Sequence, residues 1–205
     1  MSAPSASPTV QPRRRNAAAT REAILASACE AFAQHGYEGA GVREIAAGAG
    51  VTAMLVNRYF GSKEQLFREA VESTMTRNSA IAGGVMETEH PALELVRVML
   101  RVTRAESPPL NGFMISLMSA SSHWAAGVGK EMIEARHLRR VVAALSGPQR
   151  PERAAMLLSI IAGMQMMRQM IKLDALAGAD EAELEKFMVP VFELLIDGVD
   201  GTDAA

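Results

Sequence analysis

From Thr20 onward, apolar residues recur every three or four positions with polar ones between them, the period of a helix with one buried face. Ile24, Ala28, Ala31 and Phe32 form the first stripe, which predicts a helix from about Thr20 to His35 with Gly36 as its stop. The pattern then tightens: Arg43 to Gly48 and Thr52 to Phe60 are two short helical stretches separated by Ala49-Gly50-Val51. Two helices that cross closely need a small residue at the crossing, a glycine free to take φ > 0 at the turn, and an apolar residue beneath the second helix. Ala46, Gly50 and Val56 meet those needs at suitable separations, and Thr52 is placed to cap the second helix. The stretch reads as a helix-turn-helix. Ser62-Lys63-Glu64-Gln65 is a capping box that opens a fourth helix, running through Leu66, Phe67, Ala70, Val71 and Met75 to about Asn78.

Gly83-Gly84 and His90-Pro91 interrupt the pattern, and long helices follow. Pro91 to Ala105 sets Leu95, Val96, Met99, Val102 and Thr103 on one side and Arg97, Arg101 and Arg104 on a solvated one. Pro108-Pro109 starts a short apolar helix with Phe113, Met114, Leu117 and Met118, and a helix from Trp124 to Leu145 comes next. In the predicted helix from Pro151 to Ala177, Gln165, Arg168, Gln169 and Lys172 make a polar stripe. Its remainder splits into two apolar faces, Leu157, Ile160, Met164, Met167 and Ile171 on one, Ser159, Gly163, Met166, Met170 and Leu173 on the other. A helix apolar on two sides must be covered on two sides. The last helix, about Asp180 to Val199, offers Leu184, Phe187, Met188, Val191, Leu194 and Leu195, with a bend expected at Pro190. These two helices either fold back on one subunit or form a four-helix seam between two copies. The excess apolar surface favours a homodimer seam through Ser159, Gly163, Met166, Met170, Leu184, Phe187, Met188, Val191 and Leu195.

Alanine, leucine and methionine dominate while β-branched runs are short, so the expected class is all-α. The organisation expected over 205 residues is a tail at 1–15, a helix-turn-helix domain at 16–67 and a helical dimerisation domain at 68–205. The tail is rich in Ser, Pro and Ala, offers no apolar face and is expected to be disordered. The single cysteine, Cys29, lies within an apolar helical stripe and reads as a small buried hydrophobe. The net charge of −2 hides an asymmetry: residues 1–63 hold seven basic and four acidic side chains, so that only this third suits a polyanion. Met1 to Pro12 lacks the apolar stretch of a signal peptide, and the most apolar run, Ala154 to Met167, is too short to span a bilayer. The expectation is a soluble, cytoplasmic protein without a membrane partner.

With Val56 and Phe60 facing inward, the second helix of the motif turns Ala53, Met54, Asn57 and Arg58 outward. Asn57 suits paired hydrogen bonds to adenine and Arg58 suits guanine or phosphate, while Ala53 and Met54 offer contacts to thymine methyls. Arg43, Thr52, Tyr59 and Lys63 carry donors for the phosphate backbone, unless the Tyr59 ring simply packs on the first helix. Arg13-Arg14-Arg15 reads as a phosphate or minor-groove arm, or as a solvated basic run.

At these residues the sequence resembles the tetracycline-repressor (TetR) family of bacterial regulators. The resemblance runs through Thr20 to Leu25, Ala31 to Tyr37, Val42 to Ala46, Ala49 to Thr52 and Arg58-Tyr59-Phe60-Gly61-Ser62-Lys63-Glu64-Gln65-Leu66-Phe67. It departs at Ala40-Gly41, where the family usually has a Thr or Ser cap, and at Leu55 and Asn57, where the family often has Thr and Tyr. The resemblance implies a homodimer on double-stranded operator DNA, a pocket for a small-molecule effector among the C-terminal helices, and release when the fourth helix shifts. A dimer reads a palindrome only while its two heads match the groove repeat of about 34 Å.

For the pocket, the helix faces nominate Met99, Phe113, Met114, Leu117, Met118, Trp124, Met164 and Met167, which suit an apolar or aromatic effector. No cofactor or metal is expected, because His35, His90, His123 and His137 lack ligand spacing. Two other readings compete with a regulator. One is an enzyme built on Ser119-Ala120-Ser121-Ser122 and His123; the other is a helical dimeric adaptor without specific DNA binding.

Overall fold

The computed structural model describes residues 13–77, 84–107 and 110–198, and no strand occurs among them. Four helices form the head: α1 (Arg13–Gly39), α2 (Val42–Gly48), α3 (Ala53–Phe60) and α4 (Lys63–Arg77). A 3-10 turn, Val85–Glu87, leads into the body. The body comprises α5 (Pro91–Val102), α6 (Asn111–Met118), α7 (His123–Ile133), α8 (Arg139–Ala144), α9 (Arg150–Gln165), α10 (Asp174–Ala177) and α11 (Glu181–Asp197). A π-helical turn at Glu134–Leu138 joins α7 to α8, and a second at Met166–Met170 prolongs α9.

The apolar stripes gather into two cores. Ile24, Phe32, Ile45, Val56, Leu66 and Phe67 anchor the first, and Ile115, Ala125 and Val128 from α6 and α7 join it. Met99, Leu100, Leu157, Phe192 and Ile196 anchor the second, formed by α5, α9 and α11. Helices α6 and α7 thus pack with the head although they follow α5 in the chain.

Gly36 breaks α1 where the stop was expected. The chain turns there at φ 67°, ψ −178° and resumes helical hydrogen bonding, with the Ala40 N–H donating to the Gly36 carbonyl. A Cβ at Gly36 would collide with the backbone carbonyl of Met118, and the positive φ independently favours glycine. At its other end α1 starts at Arg13, ahead of the Thr20 start read from periodicity, because a solvated first turn needs no apolar stripe. The Arg13-Arg14-Arg15 side chains and Met1 to Pro12 lie outside the described residues, as do Gly83 and Pro108-Pro109.

The helix expected to run from Pro151 to Ala177 ends earlier. Lys172 takes φ 55°, which turns the chain, and α10 folds back so that the Leu176 carbonyl accepts from Arg168 Nε at 3.1 Å. The polar stripe is buried for three of its four members: Gln165, Arg168 and Gln169 are 2%, 2% and 5% exposed. The reason is the C-terminus of α5, whose last carbonyls lack helical partners. Arg168 Nη1 donates to the Leu100 carbonyl at 2.7 Å and to Thr103 Oγ1 at 3.0 Å, and Gln169 Nε2 reaches the carbonyls of Val102, Arg104 and Ser107. Gln165 Nε2 and Gln169 Oε1 are buried without a hydrogen-bond partner among the described residues.

Arg97 and Arg104 lie on the solvated side as expected, and from there they reach across the surface to α11. Arg97 pairs with Glu185 at 3.3 Å, and Arg104 makes a two-pronged contact with Glu181 at 2.7 and 2.8 Å. At the far end of α11 the buried Arg153 donates to the carbonyls of Leu195 and Ile196 at 3.2 and 2.9 Å, and also to Ser146 and Pro148. A buried guanidinium there satisfies orphan carbonyls and complements the negative end of the helix dipole. Asp180 caps the opposite end by accepting from Ala182 N–H at 2.8 Å, and α11 continues as one helix through Pro190.

Candidate nucleic-acid interface

The crossing of α2 and α3 is held from beneath. Ile45, Ala46, Val56 and Phe60 are 4% exposed or less and pack on Ile24 and Phe32 of α1. Val51 N–H donates to the Ala46 carbonyl at 2.9 Å, and Gly50 closes the turn at φ 65°. Thr52 Oγ1 accepts from Leu55 N–H at 3.4 Å, the cap expected from its place in the sequence. Gly41 offers no side-chain cap to α2, but the Glu44 carboxylate accepts its N–H at 3.3 Å and supplies half of a capping box from inside the helix. The same carboxylate lies 3.1 Å from His35 Nε2, tying the end of α1 to α2. Glu44 was absent from the sequence reading of the site; an acidic residue three positions after the cap was the available signal.

Asn57, Arg58 and Arg43 are exposed on the outward side, and Met54 is 82% exposed, the largest value among the exposed apolar side chains. None of these polar side chains has an intramolecular hydrogen bond among the described residues. Solvating so much thioether brings no folding benefit, so the surface is shaped for something other than stability. Ala53 and Tyr59 are partly buried against the head core. Lys63 is already occupied: its ammonium lies 4.7 Å above the Tyr37 ring and donates to the Glu38 carbonyl at 3.5 Å.

Behind this surface lies the joint with the body. Tyr37 N–H donates to the buried Ser119 Oγ at 2.9 Å, and its ring meets Phe67 and Trp124 at centroid distances of 5.1 and 4.8 Å. Arg68 covers Trp124 at 5.6 Å and pairs with Glu131 of α7 at 3.1 Å, while Arg136 of the first π-turn pairs with Glu72 of α4. The Tyr37 hydroxyl donates to Glu64 at 2.9 Å; burial and that carboxylate push its pKa up to about 12. Hydrogen bonds from its own backbone N–H, from Ser62 and from Tyr37 hold the Glu64 carboxyl below its usual range.

Two family models match this arrangement. The one described as bacterial regulatory proteins, tetR family, matches residues 24–70, and the one described as tetracyclin repressor-like, C-terminal domain, matches residues 89–196. The chain belongs to the TetR family. A curated relative, the HTH-type transcriptional repressor AcnR of Corynebacterium glutamicum, is 35% identical over 81 residues, a match that spans 40% of each chain. Among solved structures, a TetR-family regulator from Streptomyces coelicolor A3 is 24% identical, covers 91% of this chain and 99% of its own, and superposes with a TM-score of 0.54. The regulator FadR from Bacillus subtilis, solved with stearoyl-CoA, is 19% identical, covers 87% and 99%, and gives 0.62. At these identities the structural likeness is one of fold.

This TetR-family chain is a regulator rather than an enzyme. Ser119, which invited a nucleophile reading, is 1% exposed and serves as acceptor for the Tyr37 N–H. No helix of the described residues is long and apolar enough to cross a membrane. The residues nominated for a pocket are scattered. Met99 and Met164 are in the second core, Met114 packs on the first, Phe113, Leu117 and Met167 are half-buried, Met118 is exposed, and Trp124 belongs to the joint. Of the dimer residues, Phe187, Val191 and Ser159 are exposed, and Gly163, Met166 and Met170 are half-buried. Leu195 is in the second core, with Leu184 and Met188 packed against it, because α11 turns that side toward α5 and α9.

Proposed function

We propose that two copies of this chain pair through α9 and α11 and bind a palindromic operator as a homodimer, repressing transcription until a small apolar effector enters the body. Base reading falls to Met54, Asn57 and Arg58, with Ala53 at the edge, while Arg43, Thr52 and Tyr59 hold phosphates and Lys63 joins them by leaving Tyr37. The observation that carries the reading is a helix whose apolar side is sealed in the head core and whose outward side keeps a large thioether, an amide and a guanidinium in water. Pairing is supported by apolar exposure along α9 and α11: Phe187 at 73%, Met156 at 56% and Leu194 at 53%. An effector acts by preferring one head spacing over another, a coupling typically of about 1–3 kcal/mol.

The test is footprinting on DNA around the protein's own gene, with increasing salt as a second variable. The expected result is a protected palindrome that is lost with Asn57→Ala, and an affinity that falls steeply with salt. Protection without two-fold symmetry, or an Asn57→Ala footprint identical to wild type, rules out this assignment of the reading helix.

A further inference from the structure

Arg21 of α1 touches two other helices of the head at once. Its guanidinium pairs with Glu69 of α4 and lies 4.7 Å above the ring of Phe60, the last residue of α3. We infer that Arg21 is a positioning residue for operator reading, which ties the end of α3 to α4 with Glu69 as its anchor. This role rests on the assignment of base reading to α3 proposed above, and it says what holds that helix in its pose.

Arg21 stands one turn before Ile24 and Ala28, both fully buried, so it marks where the stripe of α1 reaches the surface. Its side chain is 43% exposed and that of Glu69 is 23% exposed. An ion pair so placed is worth little by itself, because water competes for both charges. Here the guanidinium has two partners. Nη2 meets the carboxylate while the flat face covers an aromatic ring, a combination that the round ammonium of lysine does not reproduce.

Phe60 is 4% exposed, and Asn57 lies one turn earlier on the same short helix. The Asn57 carbonyl accepts the Gly61 N–H at 2.8 Å, so the last turn of α3 moves as a unit. Gly61 and Ser62 are the whole connection from α3 to α4. A two-residue link by itself leaves the angle between two helices open to a hinge. Glu69 lies about two turns along α4 from that link, and a second tie at this distance fixes the angle. On a neighbouring side of α4, Arg68 pairs with Glu131 at 3.1 Å and Glu72 pairs with Arg136, both in the body. Helix α4 is thus gripped by the body and by Arg21, and a displacement imposed from the body reaches Phe60 through Glu69.

The experiment compares wild type, Arg21→Met and Glu69→Gln as full chains. Methionine keeps an unbranched apolar stem over Phe60 and removes the charge and the flat face. Without DNA, hydrogen exchange at the Val56 to Gly61 amides should quicken about fivefold in both variants, relative to the Ala28 to Phe32 amides of the head core. No change at either set, or equal changes at both as in a general loss of stability, overturns the inference.

The DNA probe is the duplex that wild type selects from a randomised pool, set against an unrelated duplex. Arg21→Met should lower the preference between them about fivefold and leave the salt dependence of binding as in wild type. A salt slope shallower by about one charge would make Arg21 a phosphate contact and overturn the positioning role. On an Asn57→Ala background, Arg21→Met should reduce the preference no further, since the base contact it poses is gone; a full additional loss overturns action through Asn57. If exchange at α3 responds as expected but wild type selects no duplex, the assignment of base reading fails and the tie between α3 and α4 stands.

Discussion

Helices α3 and α9 both carry a polar stripe at helical spacing, and the two stripes point in opposite directions. On α3, Asn57 and Arg58 are in water without intramolecular partners among the described residues. On α9 and its π-turn, Gln165, Arg168 and Gln169 turn inward and are at least 95% buried. The chemistry of the stripes is similar; the neighbours differ. Beneath α3 lies a sealed apolar crossing that offers no acceptor. Beside α9, α5 ends and leaves carbonyls that only donors can satisfy. A polar stripe thus marks a helix face with hydrogen-bonding work to do, and the adjacent chain end decides whether water or protein does it.

The largest effect that could break this contrast is on Arg168. Arg168→Ala removes the donor to the Leu176 carbonyl and the stronger donor to the Leu100 carbonyl, along with the contact to Thr103 Oγ1, and should cost about 3 kcal/mol or more in urea unfolding. Arg58→Ala should stay within about 0.5 kcal/mol of wild type in the same assay. Equal losses would mean that the two arginines do not differ as burial indicates. Next comes the joint, with an expected loss of about 2 kcal/mol for Gly36→Ala, from left-handed backbone strain compounded by the clash with Met118. Thermal unfolding measures it, and a neutral result would show that α1 and α6 are free to separate. The smallest effect sharpens the contrast. Gln165→Met removes a buried donor that has no partner among the described residues and should raise stability by about 1 kcal/mol. A decrease on denaturant titration would show that the amide is already satisfied.

Local chemistry made the head legible. Ala46, Gly50, Thr52 and Val56 each have a reason that operates within a few residues, and each performs that role in the structure. The start of α1 was less so, because Arg13 to Ala19 form helix without an apolar face. The body was read correctly as helical, but its orientations depend on pairings distant in sequence. Nothing within α9 announces that Leu100 and Val102 will end beside Arg168 and Gln169. Trp124 and the methionines pose the same difficulty, since an apolar residue at helical spacing fits a joint, a core or a cavity equally well. The π-turns leave no periodic trace, because a single extra residue resembles ordinary drift of the stripe.

The aromatic stack at the joint has a practical consequence. Trp124 is the only tryptophan in the chain, and it is partly exposed among Tyr37, Phe67 and Arg68, where the body meets the head. Its emission is therefore a built-in optical gauge of that seam, readable without labels while DNA or small molecules are titrated in.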